Sequence, residues 1–195
     1  MIRQHLRPAV VLTLLLCAIT GLVYPGVVTA LAQLLFPRQA NGSLIERNGQ
    51  PVGSRLIGQG FTAPYYFHSR PSAAGGGYDA TASAGTNKGP TDLKLADTLI
   101  AQAVDRVVKE DGGEKGHIPS DMVTASASGL DPHISPANAA LQVARVARER
   151  GTTGEAVRAL VDRHTQGRQF GILGDPVVNV LELNLALDSL FPRRP

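Results

Sequence analysis

A single cysteine, Cys17, lies inside an apolar run, so the 195-residue chain can form no intrachain disulfide and no cysteine metal cage. Its stability has to come from packing. Histidines His68, His117, His133 and His164 share no metal-ligand spacing, and H-E-x-x-H is missing, which argues against a zinc site. Basic residues are scattered rather than gathered into a stripe, and a net charge of +3 is mild, so nucleic acid is not an expected partner. The phosphate-loop pattern G-x-x-x-x-G-K-[ST] is absent, and Lys88 in "AGTNKGPTD" precedes a glycine instead of following one. No G-x-S-x-G nucleophile elbow and no internal repeat occur.

What the chain does have is front-loaded hydrophobicity. From Pro8 to Phe36 no residue is charged, about 29 positions, more than a helix needs to cross a hydrocarbon core of about 30 Å. Two readings compete. Residues 1–36 form a retained membrane anchor, or residues 1–32 form a cleaved signal peptide with Arg3 and Arg7 as its basic end and Ala30-Leu31-Ala32 as its cleavage site. Either reading puts residues 37–195 outside the cytoplasm. Pro25-Gly26 is expected to kink or end the helix, leaving Pro8 to about Tyr24 as the spanning part.

Beyond the linker "PRQANG" the pattern is that of an α+β domain with a β-hairpin and three to four helices. Asn48-Gly49 favours a hairpin turn between two apolar stretches. A Gly, Ser, Ala and Pro-rich loop of about thirty residues follows, yet it holds Phe61, Tyr65, Tyr66, Phe67 and Tyr78, five of the nine aromatics. It is expected to be ordered, because disordered linkers seldom concentrate aromatics. Thr91 or Asp92 should open an amphipathic helix burying Ala96, Leu99, Ile100, Ala103, Val104 and Val107 and ending near Glu110. Met122, Val123 and Thr124 read as a short strand. Ser135-Pro136 caps a second helix that stops at Gly151, Thr152-x-x-Glu155 a third, and Asn179-x-x-Glu182 a last one.

Two segments carry the candidate site. In "YYFHSRPSA", Tyr66, Phe67, His68 and Arg70 combine aromatics with a guanidinium, as interaction surfaces do, with core packing of two of the rings as an equal alternative. In "SASGLDPHIS", Asp131 and His133 read either as a partner-facing turn or as an acid–base pair in an anchored or secreted hydrolase. The turn reading assigns shape to Gly129, Pro132 and Ser135, and in the loop before the first helix to Gly85, Asn87, Gly89 and Pro90.

The collinear set "LIGQGF", "YFHSRPSA", "YDATASAGTNKGPT", "VTASASGLDPHIS", "AALQVARVARERG" and "GDPVVNVLELNLALD" resembles the C subunit of the Kdp potassium-transporting ATPase over nearly the whole chain. Lys88 departs from that family's pattern, which more usually has an apolar residue there. The resemblance implies an uncleaved single-pass anchor in the bacterial inner membrane, with the domain outside. It implies three partners: a channel-like A subunit that selects potassium, a P-type B subunit that hydrolyses ATP, and a small F subunit. The implied role is accessory and non-catalytic: assembly and stabilisation, cover over the entrance of the channel-like subunit, and a catalytic chaperone effect that raises the ATP affinity of the B subunit. The nucleotide binding associated with the family would then belong to the complex, as would the handling of potassium. The chain lacks both the D-K-T-G phosphorylation sequence and the T-V-G-Y-G filter, and no cofactor of its own is expected.

Overall fold

A computed structural model describes residues 2–192, which fall into two compact units, Met1–Val52 and Gly53–Pro195. In the first, α1 (Ile2–Ala18), a π-helical turn (Ile19–Val23) and α2 (Tyr24–Leu35) run on as one helix. Its stretch Arg3–Leu35, 33 residues whose most apolar 18-residue window has a mean hydropathy of 2.2 and no buried part, is long and apolar enough to cross a membrane. Pro25 does not end it, contrary to the expectation from sequence. The turn before Pro25 is widened, with Tyr24 N–H donating to the Ile19 carbonyl, and such a π-turn absorbs the hydrogen bond that proline cannot make. The apolar residues beyond the expected end at Tyr24 thus continue the same rod as α2. The short α3 (Pro37–Ala40) follows.

Strands β1 (Leu44–Arg47) and β2 (Gln50–Ser54) pair around Asn48 and Gly49, both at positive φ (54° and 74°), the geometry that suits the twist of a two-residue hairpin. Leu56 and Ile57 lie beyond the second strand.

In the second unit, a π-wound segment (Lys94–Ile100) leads into α4 (Ala101–Asp111), and Asp92 caps the start by accepting from Leu95 N–H at 3.2 Å. The π winding breaks the 3.6-residue period on which the expected apolar stripe rests. Val107 is buried, whereas Ala96 and Leu99 are exposed. Residues Met122 to Thr124 are not a strand. A 3-10 turn (Ser120–Met122) forms instead, because the Asp121 carboxylate turns inward and accepts from Ser135 N–H and Oγ and from Asn138 Nδ2 at 2.7–3.0 Å.

The three-stranded antiparallel sheet has the order β3 (His133–Ile134), β5 (Val177–Asn179), β4 (Thr165–Gln166). Against it pack α5 (Pro136–Arg150), α6 (Gly154–His164) and α7 (Val180–Leu190). Their shared core includes Ile134, Val146, Val157, Leu160, Val178, Leu183 and Leu187, together with Phe67 from the aromatic loop. Ser135 and Asn179 cap α5 and α7 as their sequences suggest, with Ser135 Oγ accepting from Asn138 N–H and Asn179 Oδ1 from Glu182 N–H. The cap of α6 is Thr153 rather than Thr152, its Oγ1 accepting from Ala156 N–H at 3.2 Å. Thr152 N–H instead closes the end of α5 on the Ala147 carbonyl. Thr153→Ala should accordingly cost about 1 kcal/mol in a denaturation midpoint, and Thr152→Ala less than about 0.5 kcal/mol.

Candidate functional site

The aromatic loop has no regular helix or strand, yet side chains of α5 and α7 bond its backbone at several points. Two side-chain amides hold its backbone from opposite sides. Asn184 of α7 accepts from Phe67 N–H and donates to the Phe67 carbonyl, both at 2.9 Å. Gln142 of α5 does the same for His68, at 2.7 and 3.0 Å. The amides thus occupy the place of neighbouring strands, satisfying a buried backbone that has no sheet partner.

Arginines of α5 complete the hold. Arg145, with 3% of its side chain exposed, donates to Asp111 at 2.7 Å, to the carbonyls of Pro64 and Tyr66, and to Gln142 Oε1. Asp111 is 4% exposed, so both charges are removed from water and each depends on the other. Arg150, with no exposed side-chain surface, donates to the Tyr65 and Phe191 carbonyls and to Asp188 Oδ1. Its guanidinium also lies 5.2 and 4.9 Å from the Tyr65 and Tyr66 ring centres. Tyr66 Oη donates to Asp188 Oδ2 at 2.8 Å; burial, with Asp188 beside it, raises the phenol above its ordinary pKa.

Of the sequence candidates, Phe67 is a core residue with no exposed surface, whereas Tyr66, His68 and Arg70 are half-buried. Burial lowers the His68 pKa, assisted by the Arg145 charge, which favours the neutral ring, and its Nε2 lies 3.1 Å from the Ala63 carbonyl. Arg70 reaches across to the second motif, donating to Asp131 Oδ2 at 2.8 Å, while Asp131 Oδ1 accepts from His133 N–H at 3.0 Å. The His133 ring is 3.6 Å from the same oxygen, so the turn does bring acid and imidazole together. Burial pushes the Asp131 pKa up, but the hydrogen bonds from His133 and Arg70 outweigh it and hold the carboxyl at about 2. Such a carboxylate is a weak base, already engaged on both oxygens, and suits an ion-paired joint better than proton transfer.

The small residues around this joint allow close backbone contact. Gly129, at φ +67°, sits where a Cβ would lie 2.6 Å from Ala74 N and 2.7 Å from the Ala84 carbonyl. Ser72 Oγ donates to the Gly129 carbonyl, and Ala84 N–H to that of Ser128. A Cβ on Gly85 would come within 2.9 Å of the Ala127 carbonyl. Asn87 takes φ 53°, and Gly89 and Pro90 form a turn closed by Asp92 N–H on the Gly89 carbonyl. Lys88 pairs with Asp92 at 2.7 Å, and Pro132 accepts from Val180 N–H through its carbonyl.

Between the aromatic loop and α4 and α5 opens a cleft of about 410 Å³, whose charged lining includes Arg70, Arg106, Glu110 and Asp111. Both signs are represented, so it presents no field selective for one ion. No group of three or more His, Cys, Asp or Glu residues able to hold a metal occurs among the described residues.

Sequence reading missed Asp111, Asp121, Asn138, Gln142, Arg145, Arg150 and Asn184. Their signal was nonetheless present: Asn138, Gln142 and Arg145 share one face of α5 at helical spacing, and Asn184 interrupts a leucine run in α7, polar residues where a core face is due.

A family model described as KdpC, K+-transporting ATPase, c chain, matches residues 6–189. The potassium-transporting ATPase KdpC subunit of Gemmatimonas aurantiaca is 66% identical over 193 residues, covering 98% of this chain and 96% of that one. Its counterpart from Koribacter versatilis is 56% identical over 190 residues, covering 97% of each.

Two predictions test the site. Arg145→Met leaves Asp111 buried and unpaired and should cost about 3–5 kcal/mol, read from thermal unfolding of the detergent-solubilised full chain. The Asp131 ion pair stabilises fully above the ordinary carboxyl value of 3.8 and loses its effect as pH falls towards about 2. That contribution, about 2 kcal/mol, should vanish from the stability-against-pH curve of Asp131→Asn.

Proposed function

Because this chain belongs to the KdpC family and is a subunit of a potassium-transporting ATPase, we propose that it acts as the complex's accessory, non-catalytic subunit. Residues 1–36 anchor it as a single-pass helix in the bacterial inner membrane, with the N-terminus cytoplasmic. Residues 37–195 form the extracytoplasmic domain, which stabilises the assembly and covers the entrance of the channel-like A subunit. The B subunit hydrolyses ATP, and the F subunit completes the set. Any rise in the B subunit's ATP affinity passes through contacts of the membrane helix, since a domain outside cannot touch cytoplasmic nucleotide. Tyr66, His68, Arg70, Asp131 and His133 contribute to a partner-facing surface in this reading, while Phe67 acts from behind it as a core anchor.

The observation that carries the proposal is the fixed aromatic loop. Its backbone groups and the Arg70–Asp131 pair are committed to internal bonds, so this segment offers a preformed surface rather than a proton-transfer site. Potassium selection and ATP hydrolysis require machinery that the chain's sequence motifs do not supply.

Co-purification from membranes tests the proposal. The full-length chain should bring its partner subunits and retain Met1, and deletion of residues 1–36 should abolish both assembly and high-affinity potassium uptake. Undiminished uptake after the deletion would count against an essential anchor. Asp131→Asn combined with His133→Ala should leave ATP turnover intact in complexes that assemble. Lost turnover with assembly preserved would favour a hydrolytic pair.

A further inference from the structure

The hairpin arm between β4 and β5 serves none of the interactions described above. Residues 166–176 are all exposed, and at the tip Phe170 is 91%, Ile172 74% and Leu173 54% exposed. Large apolar side chains clustered at the end of a projecting arm contribute nothing to this chain's own core. Nor is the tip slack. Gln169 and Leu173 exchange both backbone hydrogen bonds at 2.9 Å, Gly171 N–H reaches the Arg168 carbonyl, and Ile172 N–H reaches that of Gln169. The turn holds Phe170 at φ 54°, a left-handed conformation that a bulky residue adopts only under constraint.

We infer that this tip is a docking plug, with Phe170 and Ile172 seating in an apolar cleft of a partner subunit of the same ATPase outside the membrane. The inference rests on the reading of the chain as a subunit with its domain outside. Two features favour a protein cleft over the bilayer surface. The arm's charges, Arg168 and Asp175, pair with each other at 2.8 Å and leave it neutral, without the basic surround that strengthens attachment to anionic lipid. A single enforced turn conformation is rewarded by a shaped pocket, where the ordering cost is met before binding, and not by a fluid interface. The aromatic ring at the apex has the character of a binding anchor.

The chain contains no tryptophan, so Phe170→Trp places its single tryptophan at the tip, read within the complex as the difference from the complex that retains Phe170. The full-length variant should show solvent-exposed emission when reconstituted alone in phosphatidylethanolamine–phosphatidylglycerol vesicles, and shift to the blue only within the assembled complex. Phe170→Asn with Ile172→Ser should weaken retention in the complex by about tenfold or more while leaving the thermal unfolding of the isolated full chain unchanged. Asparagine tolerates the left-handed turn, so the variant tests contact rather than folding. A blue shift in the chain alone, whether from lipid or from a second copy, would overturn the inference, as would undiminished retention of the double variant. Failure of the unmodified chain to bring any partner would instead strike at its reading as a subunit.

Discussion

The bond between Arg145 and Asp111 is the interaction on which the second unit's irregular half depends. A guanidinium with almost no access to water sits at the meeting point of α4, α5 and the aromatic loop, and its donors reach a carboxylate, an amide oxygen and two backbone carbonyls. An ion pair so deep adds little net stability compared with a well-packed apolar substitute. Its effect is better described as specificity, since only one path of the loop satisfies all its donors. Gln142 and Asn184 extend the same logic to the next two residues of the loop, and Arg150 extends it to Tyr65 and the end of α7.

The second unit therefore has two kinds of order. Around the small sheet, apolar side chains of α5, α6 and α7 pack in the ordinary way. Towards the aromatic loop, α5 and α7 turn polar faces inward and read out a backbone. A loop rich in glycine, serine and alanine could not have been fixed by apolar burial alone, since its small side chains remove little surface from water. Polar clamps supply the definition that its composition withholds, and the Arg70–Asp131 pair ties this loop to the turn entering α5.

The regular elements were legible from local rules. Asn48-Gly49, Ser135-Pro136 and Asn179-x-x-Glu182 each encode their geometry within four residues, so hairpin and caps could be read directly. The elements misread were those decided at a distance. Thr152 and Thr153 are equally good caps locally, and the choice falls to Thr153 because Thr152 N–H is used to close α5. Met122 to Thr124 have strand-like side chains, but Asp121 turns inward towards a residue fourteen positions away. The stripe before α4 fails because winding, which sequence periodicity assumes, changes there. At the site, the aromatic loop and the turn could be named from sequence, but not that Arg70 and Asp131 join them across 61 positions. Nor did the sequence separate Phe67, which is core, from its half-buried neighbours.

The widened turn at Ile19–Val23 has a consequence for how the apolar helix presents itself sideways. A π-turn holds one residue more than the winding on either side, which rotates everything beyond it by about 100° relative to an unbroken α-helix. Side chains counted at intervals of three and four across that point no longer line one stripe. The N-terminal and C-terminal stretches of the rod thus offer faces pointing in different directions, as if two short helices had been joined with a twist. A single span can in this way meet two different neighbours along its length.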